Sequence, residues 1–397
     1  MSQLLKQYKP TQGIYIHIPH CLQKCHYCDF PTVLLADGPD LDFYTDLILQ
    51  ELNFKLLKSK SLSSIYFGGG TPSLLGPQRI EKIINHIYKL DYLPRPDCEI
   101  TVEINPGTLT LDQILDLKKA GVNRFSIGVQ TFNDDNLKYI GREHSSKESL
   151  NTLSLMCQAD VDFTADLILA LPNESYSDFK KNAETLFKFN PKHLSVYLLT
   201  VPEKSFLSQN MPKEDLLDEL MDQTEEYLLN FDFERYEISN YRKKNHKPSI
   251  HNLLYWNDLD YWGVGQGAHS YLKNLSPWGS RFWNPRTYKK YLEQANLRQT
   301  KGPMPPENQI ERLQLNESLT DFCFTHLRQW EGVNLEDLES KYSLKISDLV
   351  HEKLQLLKKD GYIEVNLSQW RLSKSGRKFA DHVFRELCFS KHDVEEL

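Results

Sequence analysis

The chain has 397 residues, 40% of them hydrophobic and 25% charged, which excludes disordered, collagen-like and coiled-coil classes. At about 150 residues per domain it is long enough for two or three domains and needs no disulfide staples. Its net charge of −7, from 47 basic and 54 acidic residues, argues against a dedicated nucleic-acid partner. Of the seven cysteines, Cys98, Cys157, Cys323 and Cys388 lie far apart, unlike a secreted disulfide framework. The first dozen residues lack a signal-peptide core, and no apolar run reaches the ~18 residues of a membrane span. The expectation is a cytoplasmic chain, with peripheral membrane contact left open.

The other three cysteines are clustered. Residues 13–30 read GIYIHIPHCLQKCHYCDF, so Cys21, Cys25 and Cys28 form a C-x3-C-x2-C loop. Three thiolates on a short loop can hold three irons of a [4Fe–4S] cluster and leave the fourth open to a chelating small molecule. Zinc held by these cysteines and one of His17, His20 or His26 is the alternative.

Around this loop the chain alternates. Ile14–Ile18, Ser64–Phe67, Glu99–Ile104, Arg124–Val129, Phe163–Leu169 and Leu194–Leu199 read as strands. Helical spacing fills 40–58, 76–90, 110–120, 146–158, 175–189 and 213–231. The pattern predicts an α/β fold, a partial (βα)6 barrel of parallel strands, with a doubly wound sheet as the alternative. Chemistry in parallel barrels gathers at the strands' C-terminal ends. Those ends deliver the cysteines, Gly68-Gly69-Gly70-Thr71-Pro72, Glu103-Ile104-Asn105, Gln130 followed by Arg142, Asp166, and Tyr197 with Thr200. The glycines would let a backbone approach a ligand, Glu103 and Asp166 could accept from an ammonium or ribose hydroxyls, and Arg142 could pair a carboxylate.

Farther on, His251, Asn252, Tyr255 and Trp256 stand in the stretch HNLLYW. In a helix capped by Ser249, His251 and Tyr255 share one face, while Trp256 offers a flat surface to a macrocycle. An imidazole of this kind can ligate haem iron, and His246, His269 and the N-terminal histidines are its rivals. The glycines of YWGVGQGAHSY (Tyr261–Tyr271) imply close backbone approach, to a ligand or to the barrel edge.

The cysteine loop resembles the signature of radical S-adenosylmethionine (radical SAM) proteins. Across residues 13–272 the chain is similar to the branch containing oxygen-independent coproporphyrinogen III oxidase, through GGGTPSLL, EINPGT, NRFSIGVQTF, IGREH and DLILALP in order. The resemblance implies a [4Fe–4S] cluster at Cys21, Cys25 and Cys28, and S-adenosyl-L-methionine (SAM) at the open iron. The SAM site would be lined by Tyr15, Tyr27, Gly69, Gly70, Thr71, Glu103, Gln130, Arg142 and Asp166, with Thr200 and His269 matching by count alone. The oxidase pattern has a further cysteine where Phe30 stands, and HNxxYW marks the haem-binding relatives of the branch. These departures imply a haem chaperone that uses His251, Asn252, Tyr255 and Trp256 for haem and passes it to an acceptor protein, with an electron donor for the cluster. The alternative is an enzyme that oxidatively decarboxylates coproporphyrinogen III.

Lys-Gly-Pro-Met-Pro-Pro-Glu near 300–308 signals a boundary. Beyond it, helices at 307–329, 334–342 and 346–360, the hairpin IEVNLSQWRL and a helix from Ser375 predict a winged-helix-like module, with Cys323 and Cys388 in its core. Between Lys345 and Lys378 eight basic residues face four acidic ones, so a winged-helix regulator with a cluster sensor is a third reading. The expected organisation is a barrel over 1–235, a haem-motif and glycine-rich segment closing it over 236–302, and the C-terminal module over 303–397.

Overall fold

The computed structural model describes residues 12–57, 61–172, 174–199, 205–210, 214–302 and 304–395, so Thr200 lies outside the described residues. Strand β1 (Gln12–Ile18) shows how the barrel is built. Ile14, Ile16 and Ile18 are fully buried on one face, and alternation turns Gly13, Tyr15 and His17 to the other. The same period runs through β2 (Ser61–Gly69), β3 (Leu93–Ile104), β4 (Arg124–Gln130), β5 (Phe163–Leu169) and β6 (His193–Leu198). Ile65, Phe67, Val102, Phe125, Ile127, Ala165 and Leu194 join the apolar face. The register sets Gly13 beside Ser64, Tyr15 beside Tyr66, His17 beside Gly68, and Asp166 beside Ser195 on the opposite, polar face.

Each of these strands pairs in parallel with its predecessor, and sheet order follows chain order from β1 to β6. A doubly wound sheet would reverse order at its middle, so the partial-barrel reading holds. Connecting helices are α1 (Leu41–Leu52), α2 (Pro77–Lys89), α3 (Leu111–Lys119), α4 (Asp134–Tyr139), α5 (Ser146–Ala159), α6 (Tyr176–Phe187) and α7 (Glu214–Leu229). Helix α4, which the periodicity did not predict, starts where the Asn133 side chain accepts from the Asp135 and Asn136 N–H groups. Helix α1 ends before its expected limit, because the chain turns through Asn53 and reaches left-handed φ at Lys55.

Both barrel edges are extended. A hairpin of β7 (Phe233–Arg235) and β8 (Asn240–Lys243) pairs antiparallel with β6. At the other edge, after α8 (Ile250–Trp256), β9 (Asp260–Val264) runs parallel to β1 and is followed by antiparallel β10 (His269–Leu272), β11 (Ser280–Trp283) and β12 (Ile310–Arg312), completing a 12-stranded sheet. Helix α9 (Tyr288–Lys301) links β11 to the next segment. The glycines of YWGVGQGAHSY serve this edge: a Cβ on Gly263 would fall 2.1 Å from the His269 carbonyl oxygen.

The expected helix over 307–329 is corrected, since Glu307–Gln309 is a 3-10 turn and Ile310–Arg312 is sheet. The helix proper is α10 (Leu315–Arg328), followed by α11 (Leu335–Lys341) and α12 (Leu344–Lys359). A three-stranded wing of β13 (Val333–Asn334), β14 (Ile363–Asn366) and β15 (Gln369–Leu372) packs on their separate core, where Cys323 is fully buried. Cys388, expected beside it, is exposed. Among the described residues no helix is long and apolar enough to cross a membrane.

Candidate functional site

At the C-terminal ends of β1–β6 lies a cavity of about 440 Å³. Cys21, Cys25, Tyr27 and Cys28 form one side, with Gly69, Gly70 and Thr71 beside them, and Glu103, Asn105, Gln130, Arg142 and Asp166 across it. Among the described residues no three His, Cys, Asp or Glu side chains converge as ligands of a single ion do. What the three thiols share is a cavity wall, the arrangement a cubane requires because each of three irons takes its own sulfur.

The surroundings suit thiolates. The Thr71 hydroxyl donates to Cys21 Sγ at 3.7 Å, and the Arg142 guanidinium donates to Cys25 Sγ at 3.6 Å. Arg142 is held in turn by Asn105 Oδ1 at 2.7 Å and the Gly128 carbonyl at 2.9 Å. Burial nevertheless pushes the Cys21 thiol up to about 11 and that of Cys28 upward, so a bound metal must displace protons. The loop is pinned from outside by His26, whose backbone N–H meets the Ile140 carbonyl and whose ring bonds the Tyr139 carbonyl at 2.9 Å.

Gly69 and Gly70 are also required by close packing within the protein. A Cβ on Gly70 would fall 2.7 Å from the His20 carbonyl and 2.8 Å from Cys21 Sγ, and one on Gly69 would meet the His17 ring at 2.5 Å. They let the β2 turn lie against the cysteine strand, and Gly69 also holds φ 115°.

The opposite wall sets two buried carboxylates beside Arg142. Glu103 accepts from the Tyr66 hydroxyl at 2.8 Å and the Gly69 N–H at 3.0 Å, yet burial lifts its carboxyl to about 7. Asp166 is lifted to about 6, again chiefly by burial. Such a wall suits an ammonium, a sulfonium or ribose hydroxyls. Gln130 ends β4 with φ 67°, a strained backbone for a residue with a side chain.

A second cavity of about 640 Å³ opens beside the first, and Phe30, Gly69 and Glu103 line both. Tyr15, His17, Tyr66, His251, Asn252, Tyr255, Tyr261, His269 and Arg286 line the rest. Tyr15, expected on the SAM wall, stands here instead, because its register partner is Tyr66 and its ring lies 6.0 Å from that of His251. Helix α8 is anchored by the Glu99 carboxylate, which accepts the Ile250 and His251 N–H groups at 3.0 and 3.1 Å. His251 is engaged on both sides: Ser64 Oγ bonds Nδ1 at 2.7 Å and the Tyr255 hydroxyl bonds Nε2 at 2.8 Å. Burial lowers its pKa to about 3, so the ring is neutral.

Trp256 is off this cavity. Its ring stacks under the Arg328 guanidinium at 4.6 Å, and its carbonyl accepts from Gln329 at 2.9 Å, so it anchors the C-terminal module. His246 borders a different cavity, beside Asn245 and Lys247. Tyr66 and Arg286 are site residues that the motifs did not single out.

A partial parallel barrel that sets a three-cysteine loop beside a glycine turn on the wall of an acidic cavity has the layout of a radical SAM protein. The sequence profile of the Radical SAM superfamily matches residues 15–186, and that of the HemN C-terminal domain matches residues 313–379. The chain is 30% identical over 381 residues to the "Heme chaperone HemW" of Buchnera aphidicola subsp. Schizaphis graminum, covering 95% of this chain and 98% of that protein. It is 31% identical over 389 residues to the protein of that name from Escherichia coli, covering 94% and 97%. The chain belongs to the HemW family within that superfamily. In fold it is similar to the coproporphyrinogen III oxidase HemN from Escherichia coli, with a TM-score of 0.78 at 20% identity over 97% of this chain and 92% of the other.

Proposed function

We propose that the chain is a cytoplasmic haem chaperone on a radical SAM scaffold. Cys21, Cys25 and Cys28 hold a [4Fe–4S] cluster, SAM fills the rest of the first cavity, and haem enters the second on its way to an acceptor protein. The observation that carries this reading is the second cavity, lined by aromatic rings and imidazoles and sharing Phe30, Gly69 and Glu103 with the first. When bound and reduced by its electron donor, the cluster supplies one electron to a ligand at its open iron. The protein's part is placement. Arg142 and Thr71 orient two of the sulfurs, Tyr27 closes the loop side, and Gly69, Gly70, Gln130, Glu103 and Asp166 frame a cationic ligand. On the far side His251, Asn252 and Tyr255 line the haem cavity, while Trp256 fixes the end of their helix.

The test is anaerobic. Reconstituted protein is titrated with hemin, then supplied with coproporphyrinogen III, SAM and reductant. The expected result is cluster absorbance, one saturable hemin site and no protoporphyrinogen. Turnover to protoporphyrinogen would make the protein an oxidase, and stoichiometric zinc without cluster absorbance would remove the reading altogether.

A further inference from the structure

Three imidazoles border the second cavity: His17, His251 and His269. Two are spoken for. His17 bonds the Tyr15 hydroxyl through Nδ1 and the Pro31 carbonyl through Nε2, both at 3.0 Å, and is buried. His251 bonds Ser64 and Tyr255 with its two nitrogens. Either ring could take iron only by breaking a buried hydrogen bond and leaving its partner unpaired, which is costly. Their own geometry disfavours both.

His269 differs. It opens β10, its side chain is exposed, and among the described residues nothing hydrogen-bonds its ring. The ring does not swing freely, since it stacks on Trp283 at 6.0 Å between centroids and 26° between planes, with Trp283 directly across the ladder. Burial and the Arg286 and Arg281 charges lower its pKa, keeping a nitrogen lone pair available near neutral pH. Arg286 on the same rim donates to the Asp29 carbonyl at 2.6 Å and pairs with the exposed Asp29 carboxylate at 3.6 Å, while its guanidinium stays well exposed, a cation that can exchange that surface partner for the carboxylate edge of a porphyrin. The phenol of Tyr261, also on this wall, is pushed up to about 12 by burial, so it would have to lose a proton to reach ferric iron, which the neutral ring of His269 would not.

We propose that His269, and not the motif residue His251, is the imidazole that ligates haem iron, with Arg286 receiving a propionate. This assignment rests on the haem-chaperone reading. It gives His251 a different task, that of a neutral wall residue whose bonds to Ser64 and Tyr255 keep helix α8 seated on β2.

The test uses the full chain and hemin, read by absorption and electron paramagnetic resonance. Wild-type protein is expected to give a histidine-ligated ferric spectrum. His269→Ala should lose that signature and bind hemin about tenfold or more weakly, and added imidazole should restore the signature. His269→Met should replace it with a thioether-ligated spectrum, a change that unfolding would not produce. His251→Ala should keep the histidine signature even where affinity falls. A histidine signature surviving in His269→Ala, or lost only in His251→Ala, overturns the assignment and leaves the chaperone reading standing. Wild-type protein that binds no hemin overturns both.

Discussion

Glu103 sits between the two cavities with two donors and no cation, and its ionisation should report what binds beside it. Burial raises its carboxyl from the ordinary 4.5 to about 7. A raised acid stabilises the fold below its unfolded pKa, and that contribution is lost as pH climbs through the folded value. Ligand-free protein should therefore lose up to about 3 kcal/mol between pH 4.5 and 7 from this group. Glu103→Gln should flatten that part of the profile in chemical denaturation. Binding of SAM, whose sulfonium is cationic at every pH, should ionise the group and release a proton. Calorimetry in buffers of different ionisation enthalpy should show close to one proton released per SAM at pH 6 and almost none at pH 9. Release that does not vary with pH would remove Glu103 from the SAM site. Glu103 could be picked out in the sequence because it stands at the end of an apolar strand, whereas Asp166 lies within β5 and Arg142 beyond α4, so each was legible only together with the cysteine loop. Tyr66 could not be picked out, because its place depends on the register that sets Tyr15 opposite it, and pairing register is not written in either strand alone.

Among the elements, the β2 turn and helix α8 carry the most. Gly70→Ala would drive a methyl against Cys21 Sγ and two carbonyl oxygens, a backbone clash that side-chain rotation cannot relieve. The expected outcome is a loss of about 1–3 kcal/mol and loss of cluster absorbance after reconstitution, while Gly302→Ala, far from the loop and with nothing within 4 Å, should keep that absorbance even though its φ of 98° strains an alanine. Glu99→Ala would uncap α8 and leave the half-buried Arg124, now 3.5 Å from the Glu99 carboxylate, without its partner. The expected cost is about 3–5 kcal/mol in urea unfolding; a loss under 1 kcal/mol would mean that the helix holds itself. The six barrel strands were readable because each alternates an apolar and a polar face over several residues. Helix α4 was too short to show a period, and β9 could not be placed beside β1 because that parallel pairing joins distant parts of the chain. Trp256 stands off the second cavity for a geometric reason. His251 and Tyr255 are four residues apart and share a face, while Trp256, one residue on, is turned about 100° around the helix toward Arg328.

At the scale of the molecule, that turn joins the C-terminal module to the second cavity. Arg328 on α10 stacks on Trp256 and bonds the buried Glu237 carboxylate at 2.9 Å, and Gln329 holds the Trp256 carbonyl. Lys341 reaches Asp258, just past α8, at 2.6 Å. A separate group of ion pairs, Lys378 with Asp222 at 2.9 Å and Arg377 with Glu225 at 3.6 Å, ties the same module to α7. The helix carrying His251 is thus gripped at its start by Glu99 from the barrel and at its end by the C-terminal module. Arg328→Ala would empty the stack and strand Glu237 as a buried charge with one partner fewer. It should lower the melting temperature and weaken hemin binding although Arg328 does not line the cavity, leaving the first cavity's cluster absorbance unchanged. Lys378→Ala, whose pair with Asp222 is partly exposed on both sides, should leave hemin binding unchanged and cost no more than about 1 kcal/mol, because a pair near the surface contributes about 0–1 kcal/mol and is screened by salt. Equal hemin affinity in wild type and Arg328→Ala, with the melting temperature lowered, would show that the module stabilises the fold without setting the shape of the second cavity.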